Sequence, residues 1–322
     1  MNAMVCSAPG KLFLGGEYAV LRGAEAVVTA VDRRVVAVST SREEHLSPVL
    51  KVVREHVVRQ LQHTSRGPVD LPPIQVRSRD FQIGGKKIGL GSSAAVSAAA
   101  TGLLFELAGL PIADNRRDIL ELAIAAHRAA QGGRGSGADV AAAVQGGTLI
   151  FRMDGKLEPV DTHGMQLVPV WSGQSASTKE LISKIDLFRG RDPSGHRACF
   201  AELRQLADRL AQAFRSENTA DIIEATALYG QGMDRLGRAS GAPIVTKKHA
   251  LIANLAHSLG GSAKPSGAGG GDAAVAVFES LDAARKFRTL CYRYELIPLE
   301  LQTGAQGLGL GEEGSGIVTS AF

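Results

Sequence analysis

Lys11 and Asp139 are the residues of this 322-residue chain whose type and surroundings suit work on an anion. Lys11 closes the run Ser7-Ala8-Pro9-Gly10-Lys11, shortly before Gly15-Gly16-Glu17-Tyr18. Set on a turn between the apolar pieces 5–7 and 12–14, its ammonium is a point charge able to reach a hydroxyl or a phosphate. A solvated surface lysine is the alternative reading. Asp139 follows Gly135-Ser136-Gly137-Ala138, where one helix gives way to the next. It reads either as the N-cap of the new helix or as a carboxylate aimed into a cleft.

Two further glycine-rich runs supply what a phosphate needs. Lys87-Ile88-Gly89-Leu90-Gly91-Ser92-Ser93-Ala94-Ala95 leads into an alanine-rich helix expected over 92–107. The first N–H groups of a helix lack internal partners and carry the positive end of its dipole, which favours an anion over residues 89–93. Ser92 and Ser93 then serve as N-caps, phosphate donors or hydroxyl ligands for a metal. Nearer the C-terminus, Lys264-Pro265-Ser266-Gly267-Ala268-Gly269-Gly270-Gly271-Asp272 holds four glycines in five positions. Such bare backbone adopts positive φ and brings N–H groups close to a ligand. The apolar run 273–278 that follows reads as a buried strand, which pins the loop as no flexible linker would be pinned.

Two other nucleotide motifs compete and fail. Gly89-x-Gly91-x-x-Ala94 formally fits the dinucleotide fingerprint, which needs an apolar strand before it and an acidic residue at a strand end about 20 positions later. Here Gln82-Ile83-Gly84-Gly85-Lys86-Lys87 is no buried parallel strand, and Glu106 falls inside a helix. No glycine run continues into Gly-Lys-Ser/Thr, so the Walker A pattern is absent.

The elements that must position these groups follow from periodicity. Helices are expected over 48–63, where Leu50, Val53, Val57 and Leu61 recur at helical spacing, and over 115–131, with Asp114 or Asn115 as cap. Others are expected over 197–214, 221–236, 247–259 and 281–292. A strand pair is expected over 26–39, and single strands over 168–171, 273–278 and 295–301. A proline-rich connection spans 68–73. The character of the chain changes near Trp171, which divides it into 1–171 and 172–322. This order suits an α+β architecture. The glycine-rich tail after Thr303 is expected to be loosely held.

With 44% hydrophobic and 21% charged residues, the composition is that of an ordinary globular protein. The longest apolar stretches fall short of a bilayer span and no charged-then-apolar leader is visible, so no membrane partner is expected. Three scattered cysteines, Cys6, Cys199 and Cys291, point to reduced thiols in a cytoplasm. A net charge of +4 suits an anionic small molecule and is too dispersed for a nucleic-acid footprint.

These segments together resemble the GHMP kinase superfamily. Ala8-Pro9-Gly10-Lys11 with Gly16-Glu17-Tyr18 is similar to its first motif, residues 89–95 to its phosphate loop, and residues 264–272 to its third motif. Within the superfamily the chain most resembles the phosphomevalonate kinase family. That likeness rests on Lys87, Ala126-His127, Gln131-Gly132, Gly135-Ser136-Gly137-x-Asp139-Val140-Ala141 and residues 266–272. Trp171-Ser172-Gly173-x-Ser175-Ala176-Ser177-Thr178-Lys179 adds to it.

The resemblance implies a two-domain α+β fold, with a ribosomal protein S5 domain 2-like unit over 1–171 and a ferredoxin-like unit over 172–322. ATP and Mg2+ would lie in the cleft between them. Lys87, Gly89, Leu90, Gly91, Ser92, Ser93 and Ala94 would hold the nucleotide, with Ser93 as magnesium ligand, and Lys11 and Asp139 would be catalytic. Glu17, Tyr18, Ser136, Gly137, Ser177, Lys179, Ser266, Gly267, Ala268 and Gly269 would bind a small phosphorylated substrate. Two phosphates in one cleft call for cations, for which Lys87, Arg134, Lys179 and Lys264 are candidates. Mevalonate kinases carry a glutamate magnesium ligand eleven residues before their aspartate; here that position is Arg128, and no carboxylate lies between Glu121 and Asp139. A monomer or homodimer is expected. An alcohol acceptor, as in mevalonate kinase, a sugar or homoserine kinase, and a non-catalytic nucleotide-binding relative remain open alternatives.

Overall fold

A computed structural model describes residues 3–41, 47–64, 71–133 and 135–311. The first half runs β1 (Val5–Gly15), β2 (Ala26–Ser39), α1 (Pro48–Thr64), β3 (Ile74–Arg77), β4 (Gln82–Ile83), β5 (Lys86–Lys87), α2 (Ser92–Leu107), α3 (Ile112–Ala130), α4 (Ala138–Gln145), β6 (Thr148–Phe151) and β7 (Leu157–Val160). The second half runs β8 (Gln166–Trp171), α5 (Thr178–Arg191), α6 (Pro193–Arg215), α7 (Thr219–Ser240), α8 (Lys247–His257), β9 (Ser262–Pro265), β10 (Ala273–Phe278), α9 (Leu281–Arg293), β11 (Ile297–Pro298) and β12 (Gly309–Leu310). One antiparallel sheet has the order β12-β1-β2-β6-β7, with β3 also on β2, and a second has the order β11-β8-β10-β9. The result is the expected α+β, two-domain fold.

The two apolar pieces around Lys11 form one strand, without the turn the sequence suggested. Pro9 pairs with Arg34 but Gly10 with Val31, so Asp32 and Arg33 bulge out of β2. A bulge at that point accommodates Pro9, which has no N–H to give the ladder. β2 is likewise one long strand and no pair, held between β1 and β6. Lys11 therefore projects from a rigid ladder.

Apolar packing explains the rest of the scaffold. α2 is buried nearly all round, as its alanines allow, and packs with α1, α3 and one face of the first sheet. The opposite face contributes Leu14, Val27 and Ile150 to a second cluster with Leu203, Leu210, Phe214 and Tyr229 of α6 and α7. A third cluster lies behind the second sheet, among Val168, Val170, Ile252, Phe278 and Phe287.

Several expectations shift in detail. α3 begins at Ile112 with Pro111 as N-cap; Asn115 sits inside it at a kink, its Nδ2 donating to Pro111 O at 2.9 Å. The strand expected over 295–301 shrinks to two residues, because Pro298 cannot donate. The tail after Thr303 is docked, not loose: Thr303 bridges Val31, Gln306 bridges Gly146 and Leu310 pairs with Cys6. Arg34 clamps it further by donating to Gln306 O at 2.7 Å and Gly307 O at 2.8 Å. Residues 312–322 lie outside the described residues. β8, which ends at the expected division after Trp171, pairs with β10 and β11, while 303–310 returns to the first sheet. We propose that the domains divide along these two sheets. Among the described residues no helix is long and apolar enough to cross a membrane.

Candidate active site

Lys11 is the point where three segments meet. Its backbone N–H donates to Leu90 O at 2.9 Å, which stitches β1 to the phosphate loop. Its Nζ donates to Gly89 O at 3.3 Å, and the side chain is only 7% exposed. A Cβ on Gly91 would fall 2.8 Å from Lys11 Cε, and one on Gly267 would fall 3.9 Å from Nζ. Burial pushes the ammonium below its ordinary range, opposed by the charges of Asp139, Glu17 and Asp272. Among the described residues it forms no ion pair, so two of its three N–H bonds are left for an anion.

The phosphate loop is bent by glycine. Gly89 has φ +84° and Gly91, the N-cap of α2, has φ +76°. Ser92 and Ser93 are thus in the first turn and do not cap it, and no acidic residue shares that turn. Leu90 and Ala94 are buried anchors. Ser93 Oγ lies 3.1 Å from His127 Nε2, which is itself 3.0 Å from Gln131 Nε2. The last turns of α3 thereby fix the one hydroxyl expected to face a metal. Lys87 is exposed on the β4–β5 hairpin, and its carbonyl accepts from Ser175 Oγ at 3.1 Å.

Asp139 does not cap its helix. Gly137, with φ +93°, holds that position, leaving Asp139 half-buried in the first turn of α4, where Oδ1 accepts from Val140 N at 3.0 Å. Ser136 Oγ accepts from Ala138 N at 3.2 Å. Arg128 donates to Gly135 O at 3.0 Å and to Ser136 O at 2.5 Å. The position where the resemblance to mevalonate kinases implied a metal-binding carboxylate is thus a guanidinium spent on clamping the loop that presents Asp139. Arg134 lies outside the described residues.

The third glycine loop is tied to the first motif. Lys264, expected as a cation for substrate phosphate, is fully buried and pairs with Glu17 Oε1 at 2.5 Å. It also donates to Pro265 O at 2.6 Å and Phe13 O at 3.3 Å, so its charge is consumed inside the protein. Burial lowers its pKa and Glu17 opposes that. Glu17 Oε1 further accepts from Gly267 N at 3.1 Å, whereas Oε2 is buried without a partner. The Tyr18 hydroxyl donates to Ala268 O, that of Tyr229 to Glu17 O at 2.6 Å, and Phe13 N to Ser266 Oγ at 2.8 Å. Gly269 is where it is because a Cβ would sit 2.2 Å from Ile244 O. These side chains hold the two domains together, and the loop offers its backbone to the cleft.

Ser177 and Lys179 are not brought into this cluster. Ser177 is the N-cap of α5, accepting from Glu180 N at 3.4 Å, and Lys179 is exposed in the first turn of that helix beside Ser183 and Asp186. The sequence reading missed His127, Gln131, Tyr229 and Asp272 as site residues. For Asp272 a signal existed: a lone carboxylate closing a glycine run and abutting the phosphate loop, its Cβ 2.5 Å from where a Gly89 Cβ would be.

No group of three or more His, Cys, Asp or Glu able to hold a metal occurs among the described residues. Magnesium does not require one, because a nucleotide's phosphates and water supply most of its oxygen ligands. Ser93 and Asp139 are hard oxygen donors of the right kind, so the residues present fit that ion.

Comparison with known proteins places the chain among similar kinases. The family described as GHMP kinases N terminal domain matches residues 51–147. The phosphomevalonate kinase of Streptomyces sp. (strain CL190) is 27% identical, covering 95% of this chain and 99% of that protein. The mevalonate kinase of Pyrococcus furiosus is also 27% identical, over 83% of this chain and 87% of its own. Among solved structures, Streptococcus pneumoniae phosphomevalonate kinase in complex with phosphomevalonate and AMPPNP superposes with a TM-score of 0.78. It covers 94% of this chain and 100% of that one, at 18% identity.

Proposed function

We propose that this chain is a GHMP kinase that transfers the γ-phosphoryl group of ATP to the phosphate oxygen of (R)-5-phosphomevalonate, giving a diphosphate and ADP. The observation that carries the reading is the convergence on Lys11 Nζ of the first motif, the Gly89 carbonyl and Gly267. Such a meeting of bare backbone around one buried ammonium suits two phosphates brought together.

Phosphoryl transfer needs positioning and charge neutralisation more than covalent chemistry. The N-terminal end of α2, with Gly89 and Gly91, receives the triphosphate. Lys11 spans the gap and offsets repulsion between nucleotide and acceptor. An acceptor phosphate, with its second pKa of about 6, is already ionised at neutral pH, so Asp139 orients and is not required as a strong base. Magnesium, held through Ser93 with Asp139 nearby, would supply further neutralisation of the triphosphate. His127 keeps the Ser93 hydroxyl oriented.

A coupled ADP-release assay with mevalonate, 5-phosphomevalonate, galactose and homoserine tests the reading. Turnover confined to 5-phosphomevalonate is expected. Turnover confined to mevalonate, which the Pyrococcus relative favours as a second reading, would move Asp139 into the role of base. Nucleotide binding with no turnover on any acceptor would leave only a sensor.

A further inference from the structure

The cleft holds a second free carboxylate that the reaction outlined above does not use. Asp272 stands on the second domain at the end of the third glycine loop and is fixed by the segment after β8. Its N–H donates to Gln174 O at 2.7 Å, its carbonyl accepts from Ser172 N at 3.0 Å, and Oδ1 accepts from Ala176 N at 3.2 Å. The residue has φ +56°, a left-handed conformation that costs a non-glycine residue roughly 1 kcal/mol or more and is kept where function or packing demands it. The side chain abuts Gly89: a Cβ there would meet Asp272 Cβ at 2.5 Å and Oδ2 at 3.2 Å. Oδ2 therefore sits at the mouth of the phosphate loop.

Among the described residues, neither Asp272 nor Asp139 forms an ion pair, although both act electrostatically on Lys11. The ammoniums of Lys11 and Lys87 do no more than offset these two half-buried carboxylates, so nothing is left over to neutralise an incoming triphosphate. A triphosphate brought to such a centre makes it strongly negative unless a divalent cation lies among the groups. Mg2+ bound with a nucleotide commonly takes one or two protein carboxylates, and Arg128 removes the possibility of one at its own position.

We propose that Asp272 is the second-domain carboxylate through which this protein engages the divalent cation carried by its nucleotide. The proposal rests on the kinase reading.

Asp272→Asn is the discriminating variant, because asparagine tolerates left-handed φ and its Oδ1 still accepts from Ala176 N. Nucleotide affinity is measured by calorimetry with the non-hydrolysable analogue AMPPNP in EDTA, and Mn2+ affinity of the protein–AMPPNP complex by electron paramagnetic resonance. Expected is unchanged melting, metal-free AMPPNP affinity equal to or tighter than that of the parent, and Mn2+ binding weakened at least about tenfold, as when a metal-site residue is lost. Mn2+ affinity equal to that of the parent overturns the proposal and leaves the kinase reading standing. A parent protein that binds no AMPPNP with or without Mn2+ overturns both.

Discussion

Glu17 Oε1 and Lys264 Nζ lie 2.5 Å apart, both side chains essentially without exposure, and join the turn after β1 to β9, the second sheet's edge strand. The pair is buried enough that removing one partner is worse than removing both. Glu17→Leu or Lys264→Met alone is expected to cost about 3–5 kcal/mol, whereas the double variant regains most of that loss. Urea unfolding of the four proteins checks this. Equal loss in the double variant and either single would show that the ion pair is not what couples the domains.

Gly89 and Gly85 separate backbone strain from crowding. Both have positive φ, +84° and +76°, but a Cβ on Gly89 collides with Asp272 while one on Gly85 meets nothing within 4 Å. Gly85→Ala should cost about 1 kcal/mol, the ordinary penalty of a left-handed alanine. Gly89→Ala should cost more and should also weaken nucleotide binding, which thermal melts with and without AMPPNP would reveal. Equal effects at both sites would mean the Asp272 contact is soft.

Much of this was legible in the sequence because it is local. An alanine-dense run marked α2 over 92–107, a continuous apolar run marked β10 over 273–278, and the glycine runs marked loops that the fold brings together around Lys11. What escaped is long-range. Nothing in Lys264 or Glu17 announces that they are partners 247 positions apart, so both looked free to bind substrate. Pro9-Gly10 looked like a turn because the bulge that absorbs it is on β2, some twenty residues later. The tail is held by Arg34 and by backbone bridges to β2 and to the end of α4, which composition cannot show.

Lys11→Met tests the central ammonium. Methionine keeps the unbranched stem packed on Gly91 while deleting a charge whose burial is unfavourable. The melting temperature should hold or rise, and kcat should fall at least about 100-fold, as for other preorganised electrostatic groups. Near-parental kcat would remove Lys11 from the transition state.

Asp139→Asn separates chemistry from helix initiation. Gly137 occupies the N-cap, and an asparagine oxygen still accepts from Val140 N, so α4 should form as before. Stability within about 0.5 kcal/mol of the parent is expected for a change that leaves packing untouched. Turnover should drop at least about 100-fold. An unstable yet active variant would assign Asp139 to the helix alone.

His249 gives the protein an acid-side weakness unrelated to turnover. It sits in a capping box in which Thr246 Oγ1 accepts from His249 N and His249 Nδ1 accepts from Thr246 N. Burial lowers its pKa from 6.5 to about 4. In the unfolded chain the imidazole binds a proton as pH falls below 6.5, while the folded protein does not until near 4. Stability is therefore complete above 6.5 and is lost progressively as pH drops toward 4, by about 3 kcal/mol in all. Glutamine at this third helical position preserves the capping box without titrating. His249→Gln should flatten that part of the stability–pH profile measured by urea unfolding between pH 4 and 7. An unchanged slope in the variant would show that His249 is not the group whose protonation unfolds the protein.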